Sequence, residues 1–145
     1  MSAFIGDLII RALRVDELRQ QDNPDKQLYQ LVSELGYQSD KMGITITVPA
    51  GMLTDFASIP RPVWDFLDPE DPEILYPSVV HDYLYTLKGT FPDGSTFTRE
   101  QADSVLREAM ELQCASSLVR ETVYQAVRAA GGQFWDAPKK PDGKF

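Results

Sequence analysis

The chain has 145 residues, of which 43% are hydrophobic and 25% charged, and its formal net charge is −8. These values are typical of one folded domain with its own core, and the negative charge argues against nucleic acid as a partner. A single cysteine excludes an intramolecular disulfide, and no apolar run approaches the roughly 20 residues of a membrane span.

The first third of the chain has the pattern of β-strands. Residues 44–48 alternate Ile and Thr, which is the period of a half-buried strand. Two further strands are expected over Leu8 to Val15, where a helix is also possible, and over Gln27 to Val32. Clusters of Asn, Asp, Ser, Pro and Gly predict turns at 22–25 and 39–43.

From Pro77 onward the pattern is helical, with helices expected over 77–88, 99–113 and 116–130. Pro77 suits the first turn of a helix, where its missing N–H costs nothing, and Gly89 suits a C-terminal stop. Thr98 and Gln101 have the spacing of a capping box.

Apolar residues recur at helical spacing in the second and third of these helices, so we expect these faces to pack together. They are Ala102, Val105, Leu106, Ala109 and Met110 in the second helix, and Leu118, Val119, Thr122, Val123, Ala126 and Val127 in the third. The predicted fold class is α+β, with a small antiparallel sheet in the N-terminal third followed by a three-helix unit. We expect one domain over 1–135.

His81 is the only histidine, and Asp82 and Tyr85 lie on the same expected helix. His81 and Tyr85 are four residues apart and share a face, whereas Asp82 lies about 100° round the helix from His81. Asp103 falls on the apolar side of the next helix, where a carboxylate is costly to bury without a partner. We expect His81 and Tyr85 to be its partners.

His-Asp-x-x-Tyr on one helix and Ala-Asp on the next resembles the catalytic signature of the phospholipase A2 superfamily, especially its compact bacterial and parvoviral members. The match is residues 81–85, the loop 89–94 and Ala102-Asp103, a minor part of the chain. The resemblance implies that His81 is the general base, that Asp103 orients it and that Tyr85 supports Asp103. It also implies that Asp82 binds calcium.

A second resemblance covers more of the chain. The run Val48-Pro-Ala-Gly-Met-Leu-Thr-Asp-Phe-Ala-Ser-Ile-Pro-Arg61, followed by His-Asp-Tyr-Leu-Tyr at 81–85 and Ala102-Asp103, resembles the phage and prophage family called domain of unknown function 1353. It extends from about Leu28 to about Trp135. It implies a phage origin but no established activity, so the chemistry has to be argued from the residues.

Ester hydrolysis of the phospholipase type needs a base that titrates near neutral pH, a carboxylate that holds the base, and positive charge beside the oxyanion. Calcium supplies that charge in the resembled superfamily, and it binds roughly six to eight oxygens. Asp82 can provide one or two. Asp55 is the candidate second carboxylate, with carbonyl groups of its loop, 54–58, completing the set. The chain lacks the Gly-x-Gly of the superfamily's calcium loop.

The same residues also have a structural interpretation. A single helical histidine is often a core or capping residue, and Asp82 can be a polar helix residue without further function. Asp103 can form a buried salt bridge with Arg61 or Arg107. Asp55 can stabilise a turn through its side chain.

Residue counts exclude several other chemistries. One histidine and one cysteine cannot form a Cys/His zinc site, and phosphohydrolases built on a His-Asp pair need further histidines. No Gly-x-Ser-x-Gly elbow supports Ser58 as a nucleophile, and no phosphate-binding glycine loop is present. We expect Cys114 to be a small buried hydrophobic residue.

Two segments leave alternatives open. An apolar cluster of Val63, Trp64, Phe66 and Leu67 is either a membrane-contacting or partner-binding surface, or a short helix that covers the core. We favour the second. Residues 136–145 are either a loose tail or an arm that docks on a neighbouring subunit.

Two functions of different classes follow. The first is a phage-encoded, calcium-dependent, phospholipase A2-like esterase that acts on host membrane lipid. The second is a non-enzymatic virion component of the tail or baseplate, in contact with other virion proteins, that keeps the motif as architecture. Because no signal peptide is evident, we expect synthesis in the host cytoplasm, with packaging in the virion as a further option.

Overall fold

The computed structural model describes residues 1–56, 60, 63, 67 and 71–138. Strands fill the first half of the chain and helices the second, which confirms the α+β class. The strands are β1 (Ala3–Ile5), β2 (Ile10–Ala12), β3 (Tyr29–Leu31), β4 (Leu35–Ser39), β5 (Ile44–Val48) and β6 (Leu53–Thr54). The helices are α1 (Val15–Leu18), α2 (Pro72–Leu87), α3 (Arg99–Leu112), α4 (Ser117–Ala130) and α5 (Gly132–Asp136).

The strands form two antiparallel sheets, not the single sheet that we predicted, with orders β1-β4-β5 and β2-β3-β6. β4 and β5 make a hairpin whose turn is closed by Gly43 N–H donating to the Ser39 carbonyl at 2.9 Å. Gly43 has a φ of 66°, in the left-handed region that favours glycine. The predicted turn at 39–43 is therefore confirmed.

The strand predicted over 44–48 is confirmed with its bounds as β5. The strand predicted over 8–15 is longer than the observed β2, and the strand predicted over 27–32 is longer than the observed β3. α1 follows β2 directly. β1, β4 and β6 were missed for physical reasons. β1 and β6 are too short to show a period of two, and β4 has the sequence Leu-Gly-Tyr-Gln-Ser, which lacks β-branched residues.

α2 is the central helix. Its residues 77–85 are buried without a break, as expected of a helix enclosed on all sides. The prediction that Pro77 begins this helix is wrong. Pro72 holds the first-turn position after Asp71, and Pro77 lies inside the helix, where it removes the hydrogen bond normally donated to the Glu73 carbonyl.

α3 packs against α2 through the predicted apolar face, all of which is buried. The capping box is also confirmed: Gln101 N–H donates to Thr98 Oγ1 at 3.1 Å, and Thr98 N–H donates to Gln101 Oε1 at 2.9 Å. In α4 the predicted apolar stripe is too long at its N-terminal end. Val123 and Val127 are buried, but Leu118 is 80% exposed.

The main core joins β4 and β5 to α2 and α3, and a smaller cluster joins α3 to α4. A buried hydrogen bond of 2.7 Å from the Tyr37 hydroxyl to Glu108 Oε1 ties β4 to α3. Val63 packs in the smaller cluster, in agreement with the core interpretation of its segment, while Trp64 and Phe66 lie outside the described residues. In the part of the chain that is described, no helix is long and apolar enough to cross a membrane.

The end of the chain departs from the prediction in two places. Cys114 is exposed, because it follows the last turn of α3 in a left-handed conformation (φ 65°), and its neighbour Ala115 is buried instead. Beyond α4 the chain continues as α5, whose Trp135 packs edge-on against the Tyr85 ring at a centroid distance of 5.2 Å. Residues 139–145 of the predicted tail lie outside the described residues.

Candidate active site around His81 and Asp103

α2 and α3 bring the predicted catalytic residues together. His81 Nε2 lies 2.7 Å from Asp103 Oδ1, and the Tyr85 hydroxyl donates to the same oxygen at 2.7 Å. His81 and Asp103 are both 0% exposed. The i, i+4 spacing on α2 places the two ring centroids 4.4 Å apart with the ring planes tilted by 42°, and both side chains reach one carboxylate on α3.

Asp103 has a third and a fourth partner that the sequence did not indicate. Arg128 Nη1 on α4 donates to Asp103 Oδ2 at 2.7 Å, and Arg99 Nη1 lies 3.6 Å from the same oxygen. The predicted salt bridge with Arg107 is wrong, because Arg107 pairs with Glu121. The alternative partner, Arg61, lies outside the described residues, as does Ser58.

These contacts determine the ionisation of Asp103 and the tautomer of the ring. Burial alone would raise the pKa of Asp103, but the hydrogen bonds from His81, Tyr85 and Arg128 outweigh burial and hold that pKa below its ordinary value. An ionised carboxylate only accepts hydrogen bonds. The His81 nitrogen that faces this carboxylate, Nε2, is therefore the one that carries a hydrogen.

The two predicted metal ligands form a second cluster, beside the first on α2. Thr54 Oγ1 donates to Asp82 Oδ2 at 2.5 Å, and the Lys26 ammonium forms an ion pair with Asp55. Burial, followed by the negative charge of Asp55, raises the pKa of Asp82 to about 7, although Thr54 and Lys26 act in the opposite direction. Lys26, in the loop before β3, was not predicted as a site residue.

This cluster meets one requirement of a calcium site. Burial is the main cause of the raised pKa of Asp82 and the negative charge of Asp55 adds to it, so an added cation beside the two carboxylates would favour the ionised form of Asp82. Asp82 and Asp55 are the residues that would hold it. Among the described residues no group of three or more His, Cys, Asp or Glu side chains could hold a metal, and residues 57 and 58, expected to add carbonyl oxygens, are not among them.

The family follows from a comparison of the sequence with family profiles. Residues 29–127 match the family described as Protein of unknown function (DUF1353). The chain belongs to this family. The matched region includes Thr54, Asp55, His81, Asp82 and Asp103, and leaves Lys26 and Arg128 outside.

Membership confirms the resemblance to domain of unknown function 1353, with a match that ends at residue 127 and not at about Trp135, and the family's description assigns no activity. Neither the curated proteins nor the solved structures gave a match to the chain.

Proposed function

We propose that the chain is a phage-encoded, phospholipase A2-like hydrolase that cleaves an ester bond of host membrane phospholipid, with His81 as the general base. One observation carries the proposal: His81 Nε2 and Asp103 Oδ1 are 2.7 Å apart in a buried seam, with the Tyr85 hydroxyl on the same oxygen. A histidine held in this way by an ionised carboxylate has a fixed tautomer and orientation, as hydrolysis by an activated water requires.

In the proposed reaction Nδ1 of His81 takes a proton from a water molecule as that water attacks the ester carbonyl. The tetrahedral intermediate then expels the alcohol, and His81 returns the proton to the leaving oxygen. Asp103 stays ionised throughout and stabilises the imidazolium. Because His81 is 0% exposed, the proposal requires the residues that cover its ring to move when substrate binds.

Calcium is part of the proposal as a bound Lewis acid, which would supply positive charge for the oxyanion when held by Asp82 and Asp55. The chain's own residues set the conditions for its entry. The Lys26 ammonium must leave Asp55, and the Lys26 side chain is 37% exposed, so it has a path to solvent. Thr54 keeps Asp82 oriented by its hydrogen bond to Oδ2.

The test is fatty-acid release from mixed phospholipid vesicles by the parent, His81→Gln and Tyr83→Phe, each with calcium and with chelator. Tyr83 is a matched control because it lies on the same helix and makes none of the hydrogen bonds to Asp103 described above. We expect calcium-dependent release by the parent and Tyr83→Phe, and none by a folded His81→Gln. Release that survives in folded His81→Gln would exclude His81 as the base. A parent that is inactive on every vesicle composition would overturn the hydrolase proposal.

A second candidate function is a virion component of the tail or baseplate. Its support is the complete burial of His81 and Asp103 in a network that joins α2, α3 and α4, as in a polar cluster that fixes helix packing. This candidate predicts that the chain co-purifies with intact phage particles and that His81→Gln unfolds. Absence of the chain from purified particles would count against it.

A further inference from the structure

The two oxygens of the Asp103 carboxylate have different partners. Oδ1 receives the Tyr85 hydroxyl hydrogen and faces His81 Nε2, each at 2.7 Å. Oδ2 receives Arg128 Nη1 at 2.7 Å, with Arg99 Nη1 farther away at 3.6 Å. Oδ2, the oxygen that contacts neither His81 nor Tyr85, is therefore held by Arg128 of α4.

We infer that Arg128 is a positioning residue of the site, whose guanidinium fixes the Asp103 carboxylate so that Oδ1 stays on His81 Nε2. Arg128 lies outside the His-Asp-x-x-Tyr and Ala-Asp motifs and one residue beyond the region that matches the DUF1353 family. Its proposed effect on turnover rests on the proposed hydrolase function, whereas its effect on the His81–Asp103 geometry does not.

The first argument concerns the orientation of the carboxylate. The terminal torsion of an aspartate is broad and is set by its hydrogen bonds. Asp103 is 0% exposed with Arg128 in place, and without Arg128 its Oδ2 would lose its shortest contact. A buried charged oxygen without a strong donor is costly. Rotation of the carboxylate toward Arg99 would relieve that cost and would draw Oδ1 away from His81.

The second argument concerns how Arg128 is itself held. Arg99 donates Nη1 to the Val127 carbonyl at 3.1 Å and Nη2 to the Arg128 carbonyl at 3.2 Å. These bonds tie the end of α4 to the start of α3, the helix that carries Asp103. Arg128 therefore approaches Asp103 from a fixed backbone, which is what a positioning residue requires.

The experiment uses the single histidine of the chain. With ¹⁵N in the imidazole ring, every histidine signal in an NMR spectrum belongs to His81. The variants are Arg128→Gln, Arg128→Lys, Arg128→Met and, as a control on the same helix with the same loss of charge, Arg120→Gln. Arg120 contacts Ser117 and Glu121 and not Asp103.

We expect the parent to show a hydrogen-bonded Nε2–H signal, with Arg120→Gln identical to it. Arg128→Gln should shift or broaden that signal. Arg128→Lys should do the same to a smaller extent. Folded Arg128→Gln with the parent's imidazole signals would overturn the inference. If Arg128→Gln does not fold, Arg128→Met decides, because it keeps the aliphatic part of the side chain and removes the guanidinium: imidazole signals identical to the parent's would then overturn the inference.

Turnover is the second readout. Loss of a positioning partner behind a functional histidine should lower kcat by about tenfold to a hundredfold, with KM nearly unchanged and most of the rate restored in Arg128→Lys. If the parent proves inactive while Arg128→Gln still shifts the imidazole signals, the hydrolase proposal fails and the positioning inference is supported. A lower kcat without any change of the imidazole signals would contradict the positioning role.

Discussion

Thr54 donates its hydroxyl hydrogen to Asp82 Oδ2 at 2.5 Å, across the interface between β6 and α2. The same Thr54 oxygen accepts the Phe56 N–H at 3.2 Å, which fixes the direction of the hydroxyl. This bond lowers the pKa of Asp82, but burial and the charge of Asp55 outweigh it and leave that pKa at about 7. A buried carboxyl group that titrates near neutral pH therefore adjoins the only histidine.

The stability of the protein should depend on this carboxyl group. The folded pKa of Asp82, about 7, lies above the ordinary value of 3.8, so the folded state binds the proton more tightly. The resulting stabilisation is complete below the ordinary pKa and is lost as the pH rises through 7. The Asp82→Asn variant has no titratable group at this position. Its free energy of unfolding minus that of the parent should therefore increase by roughly 2–3 kcal/mol from pH 5 to pH 8.

Urea unfolding at four pH values over that range measures this difference. Asp7→Asn is the control, because it removes one carboxyl group at an exposed position. Parallel curves for the parent and Asp82→Asn would show that Asp82 is ionised in the folded state throughout the range.

Lys26 should control access of calcium to the carboxylate pair. Its ammonium pairs with Asp55, so Lys26→Met removes the competing cation. For a dissociation constant of about 10⁻⁴ to 10⁻³ M, about 10 mM calcium should then stabilise the variant by roughly 1.4–2.7 kcal/mol. The parent should gain less. Thermal unfolding with and without calcium gives the comparison.

The double variant Lys26→Met with Asp55→Asn is the control for the calcium experiment, since it removes one of the two carboxylates and should abolish the gain. Equal responses to calcium in the parent, the single variant and the double variant would count against Asp82 and Asp55 as calcium ligands.

The sequence was sufficient to predict the contact of His81, Tyr85 and Asp103 because that contact follows from local periodicity. Two residues four apart share a helix face. A carboxylate on the apolar stripe of the next helix must point into the interface between the two helices. The contact of Arg128 with Asp103 could not be predicted from local periodicity. Arg128 meets Asp103 across 25 residues of sequence, and periodicity does not tell which turn of α4 crosses α3.

The cation on Asp55 was missed for a related reason. Lys26 lies in the turn between α1 and β3, and a turn gives no periodic signal from which to infer where a side chain points. The predicted helix over 77–88 begins five residues later than α2, because proline is usually tolerated only in the first turn of a helix. Burial on all sides holds this helix together despite the missing N–H.

Glycine should be required at position 131 because a side chain there would clash with its neighbours, and not because the backbone conformation excludes a side chain. The φ of −72° and ψ of −19° at Gly131 are right-handed helical values that any residue adopts. A Cβ there would lie 2.6 Å from the Tyr85 hydroxyl and 2.5 Å from the Val127 carbonyl oxygen. Gly131→Ala should therefore displace Tyr85 from Asp103 and lower the free energy of unfolding by about 2–4 kcal/mol.

Gly132 provides the matched control in the neighbouring position. A Cβ at Gly132 would meet only Arg99 Cζ, at 4.0 Å, an ordinary contact. Gly132→Ala should change stability by no more than about 1 kcal/mol, and in the stabilising direction, because alanine favours the helix. Chemical unfolding of both variants under one condition tests the pair, and equal effects would contradict the steric argument.

Cys114 holds the position after α3 at which glycine is usually found. Ala115 N–H donates to the Met110 carbonyl at 2.9 Å and Cys114 N–H to the Glu111 carbonyl at 3.1 Å, which is the bonding pattern of a Schellman motif. Cys114 has the left-handed φ of 65° that this motif demands. A side chain in that conformation costs about 1 kcal/mol or more.

Cys114→Gly should therefore raise the free energy of unfolding by about 1 kcal/mol, since the exposed thiol gives up little packing. Cys114→Ala keeps the Cβ and should give no comparable gain. Urea unfolding of both variants under reducing conditions separates strain from the chemistry of the thiol. A gain in Cys114→Ala equal to that in Cys114→Gly would mean that the sulfur, and not the backbone conformation, is what destabilises this end of α3.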